Sequence, residues 1–319
     1  MDTKISFIKV ENFKLFDNLD IDGFQRVNLI GGKNNIGKTA LLEAINLNLS
    51  SVDFNGLLMS IKNIMHKRHN TIEIDMFKQD KNSITIKTDK NKISLTFDNK
   101  IPEAVLYLGI NGKQQVVSIS NVFNGPIVIN QYKFSKVNFI SSGYIDMIYL
   151  SELYSSLVSL GKDNFIDESL KLFDENIVSI RQIMQGGPVF KVKMKNIKNP
   201  ILLSSLGEGI NRFMAIVCAI WASQNGCLLI DEIENGIHYT NYEKLWNIIF
   251  KVSKDANCQV FATTHSRECI EIFNKLNINN DGVYIELYKN KKTDQIIAKL
   301  RDYEVLNYSL NHNGRFRGE

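Results

Sequence analysis

The chain has 319 residues, long enough to bury a sizeable core as one large domain or as two lobes. A hydrophobic content of 44% and a charged content of 23% are ordinary for a soluble globular protein, and a net charge of +4 permits contact with nucleic acid without arguing for it. The longest apolar run, 213–222, is too short to span a bilayer, so no membrane partner is expected. The opening MDTKISFIKV has no apolar stretch behind a basic cap, and Cys218, Cys227, Cys258 and Cys269 lie in apolar or helical surroundings with no close pairing. A cytoplasmic protein with reduced core thiols is expected, without a secretory signal, metal cage or disulfide frame.

Residues 5–10 alternate loosely and predict a strand, closed by Asn12, Phe13 and Lys14, with a short strand after it near 19–21. The apolar run Val27, Asn28, Leu29, Ile30 predicts the next strand, and it enters GGKNNIGKTA at 31–40. That stretch holds Gly32, four residues, then Gly37, Lys38 and Thr39, and a helical pattern over 38–50 follows with Leu41, Leu42 and Ile45 on one side. Strand, glycine turn and helix make a complete phosphate-binding loop. The glycines let successive backbone N–H groups point inward at an anion, and the helix offers its positive end to the phosphates. Lys38 supplies a mobile charge for the outer phosphates, and the Thr39 hydroxyl is a ligand for Mg²⁺.

Residues 71–122 show short β patterns, such as Thr71 to Ile74, Ser83 to Ile86 and Ile93 to Phe97, separated by polar turns. They predict an antiparallel meander. Residues 137–140 predict another apolar strand, 144–178 carry helical periodicity broken near Gly161, and 189–194 alternate again. From 204 the pattern becomes helix, strand, helix, strand. Residues 210–221 are apolar nearly all round and predict a buried helix; 227–230 and 259–262 predict buried parallel strands; 239–252 predict an amphipathic helix with Tyr242, Leu245 and Ile249 on one face. The fold class that follows is α/β with a parallel sheet.

Leu228, Leu229 and Ile230 end in Asp231 and Glu232. A strand that delivers an Asp beside a phosphate loop can hold a Mg²⁺ shell, and the next Glu can polarise a water aimed at the γ-phosphate. A solvated acidic turn after a strand is common; the upstream loop decides for the metal site. Lys38 and Asp231 are 231 − 38 = 193 positions apart. Small kinases, GTPases and ring-forming motors place the acidic strand closer, whereas ABC-type heads carry a long insertion there. Such heads need a further motif before the acidic strand, and Ser205, Leu206, Gly207 and Glu208 match its S-x-G-E/Q core. An ordinary capped helix would use the same tetrapeptide. At this position a serine hydroxyl and glycine N–H groups form a second anion site, able to close over the γ-phosphate bound by a partner head. Thr263, Thr264, His265 and Ser266 follow the next strand, and His265 there can hydrogen-bond the γ-phosphate and report its loss.

These residues together resemble the ABC-type ATPase heads of the SMC, RecF and OLD group. The run from Ile8 to Lys14 resembles the "I-x-N-F-K/R" start of that group. The run Leu229-Ile230-Asp231-Glu232-Ile233-Glu234-Asn235-Gly236-Ile237-His238-Tyr239, with Leu245-Trp246 and 259–266, resembles compact bacterial OLD-like members of the AAA family ATPases. The resemblance covers most of the chain and is specific from 203 to 268. It implies a P-loop NTPase of ABC-ATPase head type, with a mixed central sheet, an antiparallel β subdomain and a helical lobe. Residues 1–136 would be the first part of the ATPase lobe, 137–203 the helical lobe, and 204–319 the signature helix with the second part of the ATPase lobe. It also implies an ATP-driven homodimer or higher homo-oligomer. Gly32, Asn34, Asn35, Gly37, Lys38, Thr39 and Ala40 would bind phosphates, Thr39 and Asp231 would hold Mg²⁺, and Glu232 would be the catalytic base assisted by His265 and Lys38. Ser205, Gly207 and Glu208 would act in trans, residues 234–238 would cross the dimer seam, and Lys14 would touch the nucleotide.

Two departures stand out. Ser141 and Ser142 occupy the place of the glutamine that many ABC heads carry, and no sustained heptads supply a coiled-coil arm. The stretch after residue 268 is too short for the nuclease domain fused to true OLD proteins. The resemblance therefore implies an ATPase acting on a separate effector, a nuclease or toxin-like protein, in phage defence. The alternative is a RecF-like repair ATPase that binds duplex DNA itself, through Lys191, Lys193 and Lys195 opposite Phe190, Val192 and Met194, or through the basic run at 66–69. A nucleotide-gated scaffold with negligible turnover is the third reading, and the complete acidic pair argues against it.

Overall fold

In the computed structural model, which describes residues 4–66, 76–99, 104–124 and 136–312, the alternating start becomes a hairpin of β1 (Phe7–Phe13) and β2 (Phe16–Asp22). Asn12 and Lys14 take left-handed backbone at its turn, with φ of 55° and 53°. The wholly buried β3 (Val27–Gly32) feeds α1 (Lys38–Ser50), and α2 (Phe54–His66) follows. The meander is β4 (Ser83–Thr88), β5 (Lys92–Asp98), β6 (Val105–Ile110) and β7 (Lys113–Ser118), closed by the short α3 (Ile119–Asn124). Then come β8 (Val137–Ile140), α4 (Met147–Ser159), α5 (Asp163–Phe173), β9 (Ile177–Met184), β10 (Pro188–Met194) and the two-residue β11 (Ile201–Leu202). A 3-10 turn over Leu203–Leu206 leads into α6 (Glu208–Ala222). The chain continues through β12 (Cys227–Ile230), α7 (Tyr242–Asp255), β13 (Gln259–Thr263) and α8 (Arg267–Leu276), and then β14 (Gly282–Lys289), β15 (Ile296–Arg301) and α9 (Tyr303–Asn311). The strand pattern at 71–74 and the basic residues at 67–69 lie outside the described residues.

The central sheet has the order β15-β14-β3-β13-β12-β8. All neighbours are parallel except the β14–β15 pair. The strands are continuous apolar runs because both faces are covered, and the period of two sends alternate side chains into different cores. Leu228 and Ile230 join one core with α4, α5, α6, α7 and α8. Cys227 and Leu229 join the other, with α1, α2 and the antiparallel sheet β2-β1-β4-β5-β6-β7. Parallel pairing brings the carboxyl ends of β3, β12 and β13 to one edge, the position where open α/β sheets bind ligands.

The span 137–203, read from sequence as a helical lobe, is not wholly helical. β8 belongs to the central sheet beside β12, and β9, β10 and β11 form a three-stranded antiparallel sheet. β9 escaped the pattern because IVSIRQIM does not alternate: Ile177 and Ile180 are its buried residues, three apart, rather than every second one. The segment after 268, for which the sequence analysis named no elements, holds two strands of the central sheet and two helices. β14 lies directly beside β3 and braces the phosphate loop. Its Glu286 is buried and ion-paired with Arg301 of β15, a charged pair that broke the apolar pattern.

Gly226 opens β12 against the segment that opens β8. A Cβ there would stand 1.9 Å from the Lys136 carbonyl oxygen, which accepts the Cys227 N–H at 2.8 Å. Gly226→Ala is therefore expected to cost about 2 kcal/mol by overpacking, read as a lower urea midpoint at unchanged m-value. An unchanged midpoint would show that this strand end shifts freely.

Candidate nucleotide site

Sequence-distant motifs meet at the carboxyl edge of the central sheet. Gly32 ends β3 with φ of 146°, and Gly37 starts α1 with φ of 98°. A Cβ on Gly32 would lie 2.5 Å from the Leu287 carbonyl oxygen of β14, and one on Gly37 would lie 2.9 Å from Phe16 Cζ. Both conformation and space demand glycine. Between them, Asn34 and Asn35 are exposed, with Asn35 left-handed at φ of 59°. Ala40 is buried in the first turn of α1. No side chain caps α1, so its first amides remain open toward an anion. The same holds for α6, which also starts on a glycine, Gly207, with φ of 94°. In α4, α8 and α9, by contrast, Asp146, Ser266 and Asp302 accept the first-turn N–H groups.

Lys38 is buried at 5% exposure, and its ammonium donates to the Gly32 carbonyl at 2.9 Å and the Lys33 carbonyl at 2.8 Å. Those loop dipoles offset its charge. The Thr39 hydroxyl lies 3.0 Å from both carboxylate oxygens of Asp231, 192 residues away. Mg²⁺ binds oxygens at about 2.0–2.1 Å in an octahedron, which sets neighbouring ligands about 2.9 Å apart. The Thr39 and Asp231 oxygens already keep that spacing, so this donor pair fits Mg²⁺. Mg²⁺ ordinarily takes one or two carboxylates and completes its shell with water and phosphate. Among the described residues no group of three His, Cys, Asp or Glu side chains forms a metal cage.

Thr263, the last residue of β13, organises the acidic turn. Its hydroxyl donates to Asp231 Oδ1 at 2.7 Å and accepts the Glu232 N–H at 2.7 Å. Glu232 itself has left-handed backbone, φ 49°, a conformation that costs free energy in a non-glycine residue and marks functional turns. Its carboxylate is partly exposed and 3.7 Å from His265 Nε2. Glu234 turns the other way and accepts the backbone N–H groups of His265 and Ser266 at 2.6 and 3.2 Å. Arg212 of α6 donates to three backbone carbonyls, those of Ser141 at 3.0 Å, Asp231 at 2.6 Å and Glu232 at 2.8 Å. Burial pulls the Arg212 guanidinium below its usual value, while Glu234, Asp231 and Glu232 push it back up. The Ser141–Ser142 segment thus contributes backbone oxygens to this network, and the Asn235 amide donates to the Ser142 carbonyl.

Two further groups of residues were singled out in the sequence. Lys14 is ion-paired with Glu43 of α1, and both side chains are 6% exposed. Ser205, Gly207 and Glu208 are exposed on the 3-10 turn and at the start of α6. Thr263 and Arg212 carried no assigned role in the sequence. Thr263 stood inside the run Thr263-Thr264-His265-Ser266, and Arg212 was the one cation of α6, just before its apolar stretch 213–222.

Burial lowers the His265 pKa below its ordinary value, and the Lys38 charge lowers it further against the opposing pull of Glu234, Glu232 and Asp231. The ring therefore holds a proton less readily than an unperturbed imidazole. Removing the cation in Lys38→Ala is expected to move the His265 midpoint upward, as followed by the ring-proton NMR shift against pH. A downward or absent movement would contradict the electrostatic coupling.

The family model for the AAA ATPase domain matches residues 4–155 and 148–270. An ATP/GTP phosphatase of Helicobacter pylori is 28% identical over an alignment of 388 positions, covering 95% of this chain and 97% of that one. The uncharacterized protein MJECL11 of Methanocaldococcus jannaschii is 30% identical over 100 residues, 31% of this chain and 87% of that protein. Among solved structures, an Smc head bound to the C-winged helix domain of ScpA superposes with a TM-score of 0.57 at 12% identity, over 94% of this chain and 98% of that one. An Smc head with an extended coiled coil, bound to the C-terminal domain of ScpA derived from Pyrococcus furiosus, gives the same TM-score and identity over 97% and 99%. Because the two matched segments together span residues 4–270, with the phosphate loop, the acidic turn and His265, this chain belongs to the AAA ATPase domain family, and its fold is that of the ABC-type SMC head.

Proposed function

We propose that this chain binds ATP with Mg²⁺ as two head-to-tail copies, hydrolyses it with Glu232 as base, and uses the association and parting of the heads to control a separate effector protein. One observation carries the reading: the Thr39 hydroxyl and the Asp231 carboxylate, far apart in sequence, lie 3.0 Å apart beside an uncapped helix start. Phosphates would sit on the amides of residues 32–40 with Lys38 at the outer oxygens. Mg²⁺ between Thr39 and Asp231 would neutralise phosphate charge. Glu232, on its restrained turn, would orient and deprotonate the attacking water, and His265, whose Nε2 lies 3.7 Å from the Glu232 carboxylate, would sense the γ-phosphate.

The second open helix start, at Gly207, supports completion of the site by a partner copy, because it is exposed with Ser205 and Glu208. Bound ATP would then contact both copies and stabilise the pair; hydrolysis would remove that link. The Smc heads that share this fold are bound to ScpA domains, which supports a separate protein partner here as well. The nuclease or toxin-like nature of the effector and the anti-phage setting rest on the likeness to compact OLD-like ATPases. The direct test is phosphate release from ATP and from GTP with Mg²⁺, alongside sizing with and without nucleotide. Lys38→Ala should lose nucleotide binding and the larger species together. A wild-type chain that releases no phosphate while binding ATP would leave the gated scaffold in its place.

A DNA-binding reading has one observation of its own. Lys193 and Lys195 are exposed on and just beyond β10, with Lys191 half-buried on the same face, while Phe190, Val192 and Met194 are buried. Duplex DNA affinity that falls steeply with salt, and less steeply after all three lysines are replaced by Gln, would favour it. No binding at low salt would remove it.

A further inference from the structure

Arg212 has features that a packing role does not explain. It is 4% exposed within α6, a helix whose neighbouring residues from Phe213 to Trp221 are all buried. Among the described residues no carboxylate is in hydrogen-bond contact with it; its three bonds run to main-chain carbonyls, and its buried Nε–H has no partner there. A buried cation matched in this way is an expensive choice, since an apolar side chain of similar volume is often neutral or stabilising at such a position. What it touches explains the choice. The Ser141 carbonyl belongs to the loop after β8, and the Asp231 and Glu232 carbonyls belong to the acidic turn after β12. The strained Glu232 residue is therefore gripped on both sides, at its amide by the Thr263 hydroxyl and at its carbonyl by Arg212. The grip comes from a helix whose exposed first turn carries Gly207 and Glu208, one turn before Arg212.

We infer that Arg212 is a positioning residue that holds the Glu232 turn in its catalytic conformation and ties that turn to the start of α6. Any movement of the helix start, as when a second copy's nucleotide docks there, would move the guanidinium and with it the backbone that aims the Glu232 carboxylate. A cleft of ≈ 120 Å³ lies where these parts meet, lined by Tyr144, Glu208, Asn211, Arg212, Asn235 and Gly236. The inference rests on the ATPase reading, with Glu232 as base.

The test uses the full chain in three forms: wild type, Arg212→Met and Arg212→Lys. Methionine keeps the stem and removes every donor; lysine keeps the charge and one donor head that cannot fork to three carbonyls. In Arg212→Met, kcat should fall about 30-fold or more with KM within about threefold, since only the placement of the base is lost. Arg212→Lys should fall between the two. Hydrogen exchange at the Glu232 and Ile233 amides should speed up about tenfold or more in Arg212→Met, while the β12 amides of Leu228, Leu229 and Ile230 keep wild-type protection. A kcat within about twofold of wild type overturns the inference, as does unchanged exchange at Glu232. Equal acceleration across β12 as well would show a merely structural role and also overturn it. A wild type with no turnover defeats the ATPase reading instead, and the exchange arm still decides whether Arg212 holds the turn. Should Arg212→Met fail to fold, Arg212→Lys supplies both readouts.

Discussion

Glu232→Gln is expected to bind ATP with wild-type affinity and to slow its hydrolysis about 100- to 10,000-fold, the range that a positioned general base contributes. Glutamine keeps the shape and the turn, because the restraints on this residue are at its main chain: the Thr263 hydroxyl at the amide and Arg212 at the carbonyl. The phosphate loop and the Thr39–Asp231 pair are untouched, so the ground-state complex survives. What is lost is the group that accepts the proton of the attacking water. The variant should therefore accumulate the nucleotide-bound, associated form, visible by sizing in ATP as a species that persists long after wild type has turned over. Phosphate release at the wild-type rate would end the assignment. Asp231→Asn should behave differently, because Asp231 holds the Thr39 hydroxyl and accepts from Thr263. It should weaken the Mg²⁺ dependence of binding as well as turnover.

The second large effect separates a site made in one copy from a site shared by two. Ser205→Arg places a bulky cation on the exposed turn before α6, away from the phosphate loop of its own copy in sequence and in element. Lys38→Ala empties the loop of its cation. Each variant alone is expected to lose nearly all turnover. Mixed in equal amounts and allowed to exchange, each unlike pair holds one intact site, an intact loop from the Ser205→Arg copy facing an intact helix start from the Lys38→Ala copy. Like pairs hold none, so turnover well above that of either variant alone should return on mixing. No recovery, with exchange verified, would mean that the helix start does not work in trans. Full activity in Ser205→Arg alone would remove it from the site altogether.

How much of this was legible in the sequence depended on whether a local pattern carried the information. The phosphate loop was legible because its chemistry is local: a strand, two positive-φ glycines, a lysine and a threonine within a dozen residues. The buried strands β12 and β13 were legible as continuous apolar runs, and α6 as a helix apolar nearly all round. β9 was not, because its buried residues fall three apart. β14 was not, because its buried Glu286 looked like a surface residue until Arg301 of the adjacent strand neutralised it. Thr263 and Arg212 were invisible as site residues for the same reason. A threonine at a strand end and an arginine in a helix have no local signature of holding another segment's main chain.

By itself the order of residues determined which chemistry the chain carries: an anion cradle with a lysine, a hydroxyl for a metal, a strand-borne carboxylate pair and a histidine one strand later. These follow from short-range sterics and side-chain type. Only the tertiary structure decided that Thr39 meets Asp231 at 3.0 Å and that β14 rather than a loop braces Gly32. It alone decided that a buried guanidinium and a threonine hydroxyl clamp Glu232 in a left-handed turn. Those contacts join segments separated by up to roughly 250 residues through the parallel pairing of the central sheet. Register between strands so distant is set by two packed cores acting on every strand at once, and no local window of sequence contains it.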